Sequence, residues 1–95
     1  MPEMRFHIRW PDGANEQCYS PSLVIKEHLA PGESYPIADF LHRSRTALSI
    51  ASDRVQAKFG MPCSLALGQL ARIEATADRF IAIPDARVAV DGFDE

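Results

Sequence analysis

The sequence predicts an α+β fold: an N-terminal antiparallel β-hairpin, an antiparallel two-helix hairpin and a C-terminal strand, with the helices packed on one face of a small sheet. Three observations carry this reading. Residues 5–10 alternate strictly between polar and apolar, residues 35–80 repeat apolar side chains at spacings of three and four, and a short alternating segment follows Pro84-Asp85. Ninety-five residues suit one hydrophobic core, so residues 1–95 are read as a single domain, with 91–95 as a tail free to fray.

In the first strand, Phe6, Ile8 and Trp10 share one face and Arg5, His7 and Arg9 the other. Pro11-Asp12-Gly13 supplies a preset backbone angle and then a glycine free to adopt positive φ, which predicts a reversal. Pairing Trp10 with Ala14 places Glu16, Cys18 and Ser20 beside Phe6 and Ile8, and Tyr19 on the arginine side; a loop one residue longer reverses this. Ser20-Pro21-Ser22 ends the second strand. Leu23-Val24-Ile25 fits either a short strand or a helical turn, and its aliphatic, partly β-branched character favours strand. Residues 30–34 contain Pro31 and Gly32 and read as the best hinge in the chain.

A helix is expected from Tyr35 or Pro36, capped by Ser34, with Asp39 at the positive end of its dipole. Its inward stripe is Ile37, Phe40, Leu41, Ser44, Ala47, Leu48, Ala51, Val55 and Phe59, and Gly60 and Pro62 end it. A second helix is expected over residues 63–80, with Ala66, Leu70, Ile73, Ala77, Phe80 and Ile81 inward and Gln69, Arg72, Thr76 and Arg79 outward. The tight joint between them favours an antiparallel pair. The last strand covers residues 86–90, with Val88 and Val90 on one side.

Composition narrows the function. Hydrophobic residues make up 46% and charged residues 24%, the balance of a folded globular chain. A formal charge of -3 argues against a domain built to grip phosphate backbones, so no nucleic-acid partner is expected. The longest apolar run is Phe80-Ile81-Ala82-Ile83, far below the roughly 18 residues that span a bilayer, so no membrane partner is expected either. Residues 1–5 lack the apolar block of a secretory signal, which points to the cytoplasm and hence to Cys18 and Cys63 as free thiols.

Few residues suggest chemistry. Cys63 stands at a predicted helix start, where unpaired backbone N–H groups favour thiolate; the commoner role for such a cysteine is that of a small hydrophobe in the helix-helix corner. His7, His28 and His42 with the two cysteines are zinc-ligand types, but no pair has a recognised ligand spacing, so no metal or other cofactor is expected. Arg5, His7 and Arg9 on the sheet, with His42 and Arg45 on the first helix, form a candidate face for an anion or an acidic partner. Water or acidic neighbours explain the same cations as well. Phosphate-loop and nucleophile-elbow patterns are missing from the sequence.

Trp10-Pro11-Asp12-Gly13, Cys18-Tyr19-Ser20-Pro21-Ser22, Pro31-Gly32-Glu33-Ser34-Tyr35, Arg43-Ser44-Arg45-Thr46-Ala47-Leu48 and Leu67-Gly68-Gln69-Leu70 together resemble a family of small bacterial nitrogen starvation response proteins. The resemblance covers nearly the whole chain. It implies encoding beside a nitrilase, a radical-type enzyme, an acetyltransferase and a flavin-dependent oxidoreductase, and a role in nitrogen acquisition; no catalytic residue carries over. The leading expectation is a non-enzymatic accessory protein that docks on an enzyme of that cluster. The alternative is a small thiol-dependent enzyme or small-molecule sensor using Cys63, and a homo-oligomer is compatible with either.

Overall fold

A computed structural model describes residues 2–95. In chain order it contains β1 (Met4–Arg9), β2 (Asn15–Ser20), a 3-10 helix (Leu23–Glu27), β3 (Ser34–Pro36), α1 (Ile37–Phe59), α2 (Ser64–Asp78) and β4 (Arg87–Asp94). The strands form one antiparallel sheet of order β2-β1-β4-β3, and the two helices pack against it.

The N-terminal hairpin follows the shorter-loop register. The Trp10 amide donates to the Ala14 carbonyl at 2.9 Å and the Gly13 amide to the Trp10 carbonyl at 2.8 Å, with Gly13 at φ +89°. Phe6 therefore lies opposite Cys18 and Ile8 opposite Glu16, while Arg5 faces Tyr19. Alternation extends one step further back than residues 5–10: Met4, Phe6, Ile8 and Trp10 are all buried. Trp10 meets Phe40 edge-on at 5.7 Å and stacks on Phe80 at 6.0 Å, which ties the end of β1 to both helical segments.

Several expectations need correction. Leu23-Val24-Ile25 is the start of a 3-10 helix, not a strand. The Ser20 hydroxyl donates to the Ser22 carbonyl at 2.7 Å, and Ser22 Oγ accepts from the Val24 amide at 3.3 Å. These local serine bonds offer the backbone a turn that outweighs the β preference of the side chains. Ser34 does not cap α1. Tyr35 precedes proline and is held to extended geometry, so residues 34–36 become the edge strand β3 and Pro36 occupies the N-cap position without a side-chain cap. Ser34 instead binds Arg87, accepting from Nε at 2.9 Å through its hydroxyl and from the guanidinium at 2.8 Å through its carbonyl.

The presumed hinge is stitched to β4: the Gly32 amide donates to the Val90 carbonyl and the Val90 amide to the Glu33 carbonyl, both at 2.8 Å. The presumed tail is part of β4, paired with β1 as far as Asp94. A bulge between His7 and Ile8 makes this possible. Ile8 pairs with Val90 but His7 with Gly92, so Asp91 is the extra residue and the phase of β4 shifts. Phe93 then faces the same side as Phe6 and packs on the core, where an unshifted register would have aimed Gly92.

The helices explain the molecule's long axis of 41 Å. α1 has 23 residues, about 35 Å at 1.5 Å per residue, and its buried stripe runs from Ile37 to Ser52. Beyond that it overhangs: Val55 is half-buried and Phe59 exposed, although the sequence periodicity placed both inward. Gly60 at φ +83° closes α1 by donating to the Gln56 carbonyl at 2.7 Å. α2 buries Ala66, Ile73 and Ala77 and ends at Asp78, two residues early, leaving Phe80 buried on the following turn but Ile81 exposed.

Candidate functional site

The cationic face proposed from sequence is neutralised by its neighbours. β4 lies beside β1 and brings two carboxylates: Asp94 pairs with His7 Nε2 at 2.7 Å and Asp91 with Arg9 at 3.4 Å. Arg5 lies 5.0 Å over the Tyr19 ring, with Glu3 at 3.8 Å. On α1, Arg45 binds Glu74 of α2 at 3.0 Å, while His42 is exposed and lies one turn before Thr46, whose hydroxyl donates to the His42 carbonyl. Arg5, His7 and Arg9 thus share the outer sheet face, and His42 and Arg45 share a helix; the structure does not join the two sets into one anion cradle.

The other cations also have partners within the fold, some of them neutral. Arg43 donates to Asp39 and to the His28 carbonyl, Arg54 to Ser22 Oγ, Arg72 to Gln69 and Arg87 to Ser34. Lys26 pairs with Glu95, Arg79 with Asp12, and Lys58 lies over the Phe59 ring. Every one of the ten lysines and arginines has an intramolecular partner. Exposed ion pairs stabilise little, typically about 0–1 kcal/mol each, and only the cations paired with carboxylates lose their net charge; Arg54, Lys58, Arg72 and Arg87 meet neutral partners and stay positive.

One polar cluster is buried. Gln69, expected to face water, is enclosed between α2 and β2. Its Oε1 accepts from the Tyr19 amide and from Arg72, each at 3.1 Å, and its Nε2 donates to Glu16 at 3.4 Å. Glu16 also accepts from Trp10 Nε1 at 2.8 Å and from the Cys18 thiol at 3.8 Å. β2 is an edge strand, and the glutamine satisfies one of its backbone amides in place of another strand. Burial, followed by the charge of Glu16, pushes the Cys18 thiol far above its ordinary range, so it is held protonated.

Cys63 lies at the N-cap of α2, where the sequence placed it, and its amide donates to Ser52 Oγ at 3.1 Å. The hollow beside it is lined by Glu3, Tyr19, Pro21, Val55 and Phe59, with no histidine in its wall. Burial and the neighbouring charges of Glu3 and Cys63 raise the Tyr19 phenol above its usual range. Cys18 and Cys63 are both free. No group of three or more His, Cys, Asp or Glu side chains among the described residues is arranged to hold a metal ion.

What the surface does offer is apolar. Phe59, Met61 and Leu65 at the corner between the helices are 66%, 71% and 64% exposed, and Ile81 and Ile83 in the loop after α2 are 50% and 52% exposed. Periodicity missed these groups because it assigned Phe59 and Ile81 to the core. The available signals were Met61 between a helix-ending glycine and a proline, and Ile83 directly before Pro84, positions a regular helix cannot extend across.

This is a small α+β protein with two helices covering one face of a four-stranded antiparallel sheet, its polar groups largely engaged within the fold. The chain belongs to the family described as nitrogen starvation-induced protein NitG, whose model matches residues 5–93. Membership ties the protein to nitrogen starvation, in agreement with the resemblance seen in its sequence motifs. No curated protein and no solved structure matches the chain. No helix among the described residues is long and apolar enough to cross a membrane.

Proposed function

We propose that the protein serves the nitrogen starvation response as an accessory subunit that docks on a larger enzyme of the same gene cluster, using the corner of its helical hairpin. The observation that carries this reading is the exposure of Phe59, Met61 and Leu65 at the corner where α1 overhangs the core and the chain turns into α2. Fully burying an aromatic or long aliphatic side chain is worth about 1.5–3 kcal/mol. Three such groups at one protruding corner give an anchor that can offset part of the cost of association.

The partners to test are those implied by the family resemblance: the nitrilase, the radical-type enzyme, the acetyltransferase and the flavin-dependent oxidoreductase. Each purified enzyme is titrated against the labelled full-length protein. One of them is expected to bind saturably, and a Phe59→Asp/Met61→Asp variant is expected to bind it about tenfold or more weakly, since a charge replaces each buried anchor. Equal binding by the variant, or no binding to any of the four, overturns the proposal.

A further inference from the structure

We propose that the hollow beside Phe59 is the specificity pocket of the docking corner, and that it takes one apolar side chain of a partner segment that carries aspartate or glutamate next to this anchor. The inference rests on the docking reading above and names the chemistry of the partner. The hollow holds about 240 Å³, walled by Tyr19, Pro21, Val55, Phe59 and Cys63 together with Glu3. That is below the roughly 300–1,000 Å³ of pockets that enclose a whole small molecule, and it suits a single side chain. A wall made mostly of carbon and sulfur favours an apolar one, since a polar group seated there loses its water without replacement.

Two uncancelled cations border this hollow. The Lys58 ammonium lies 5.6 Å over the ring of Phe59, and Arg54 donates to Ser22 Oγ at 2.9 Å, directly after Pro21 in the chain. Four residues apart on α1, they share one flank of the helix. An aromatic ring and a hydroxyl are neutral, so both charges persist. The one carboxylate in the wall, Glu3, is answered by Arg5 at 3.8 Å. Behind the wall, Arg72 and Glu16 meet through Gln69. Asp53 points about 100° away from Arg54 and about 140° away from Lys58 around the helix. Even with Asp53 counted, a positive charge remains at this corner of a chain whose formal charge is -3.

A partner carboxylate beside the apolar anchor supplies Lys58 with the counter-charge it lacks, whereas a basic flank is repelled. The concave wall favours a protein segment over an anionic lipid surface, which meets the same cations but has no projecting side chain to fill the hollow.

The test uses the isotope-labelled full-length protein, three synthetic peptides of equal length and vesicles of phosphatidylglycerol and phosphatidylcholine. The peptides carry a leucine anchor flanked by glutamates, the same anchor flanked by lysines, and glutamate flanks around alanine. The glutamate–leucine peptide is expected to shift the amide resonances of Tyr19, Val55, Phe59 and Cys63 saturably and to bind about tenfold more tightly than either control. Lys58→Glu is expected to reduce the preference for glutamate over lysine flanks to about twofold or less with the unfolding midpoint unchanged. Phe59→Ser is expected to abolish binding, and Ile81→Ser to leave it intact. Equal affinity for the two flanks overturns the proposal, as does the absence of saturable shifts or tighter binding to the vesicles than to the peptide. Because the peptides contain no part of the cluster enzymes, equal affinity removes this assignment without touching enzyme docking through Phe59 and Met61, which the enzyme titration decides.

Discussion

Gln69 shows how a single polar residue closes an edge that the fold would otherwise leave open. It joins the Tyr19 amide of β2 to Glu16 and thereby to Trp10 and Cys18. Gln69→Ala leaves the Tyr19 amide without its side-chain acceptor, and an expected loss of about 1–3 kcal/mol is read from denaturant unfolding. Ser44 presents the opposite case. Its hydroxyl is buried without a hydrogen-bond partner among the described residues, in the middle of α1. Ser44→Ala is expected to stabilise the protein by about 1 kcal/mol, both by removing an unsatisfied polar atom and by raising helix propensity; a loss of stability contradicts the packing described.

Cys18 supplies a pH test. In the folded chain its thiol ionises well above the ordinary range, while in the unfolded chain it ionises normally. Below the ordinary range both states keep the proton and the thiol contributes no slope. Above it the unfolded state releases a proton that the folded state retains, so stability falls as pH rises, by about 1.4 kcal/mol per pH unit from this group alone. Relative to a Cys18→Ala variant, wild-type stability is expected to decline over that alkaline range, and parallel pH curves contradict the assignment. The cysteine's burial was legible from its place opposite Phe6, whereas its contact with Glu16 depends on how α2 and Gln69 close over the strand.

At the level of elements, local periodicity found what short-range forces determine and missed what distant segments impose. The hairpin was readable from alternation and Pro11-Asp12-Gly13, and the helices from their apolar stripes and Gly60. The 3-10 turn at Leu23 depends on serine hydrogen bonds, and β3 exists because Arg87 and β4 lie alongside Ser34. The extension of β4 depends on a bulge that no period-two rule anticipates. Truncation after Asp91 removes Phe93 from the core and the last pairs with β1, with an expected loss of about 2–4 kcal/mol. An unchanged unfolding midpoint after that truncation contradicts the register. Gly60→Ala is expected to cost about 1 kcal/mol; an added Cβ meets nothing within 4 Å, so the cost comes from the left-handed backbone alone.

For the whole molecule, the sequence was clearest about the layers and least clear about the surface. Apolar spacing located the buried stripe of α1, but it could not show where the sheet beneath ends, and so it counted Phe59 as core. Composition likewise revealed ten cations without showing that each meets a partner within the fold. The charged face read from Arg5, His7 and Arg9 is consequently quieter than it looked, because Asp91 and Asp94 arrive from the other end of the chain.

The claim that the helical corner is the working surface is tested most directly inside nitrogen-starved cells by a photoreactive phenylalanine analogue placed at position 59, with the same analogue at the exposed position 17 as control. The expected result is a light-dependent adduct with one enzyme of the cluster from position 59 and none from position 17. Adducts of the same enzyme from both positions, or from neither, contradict the account.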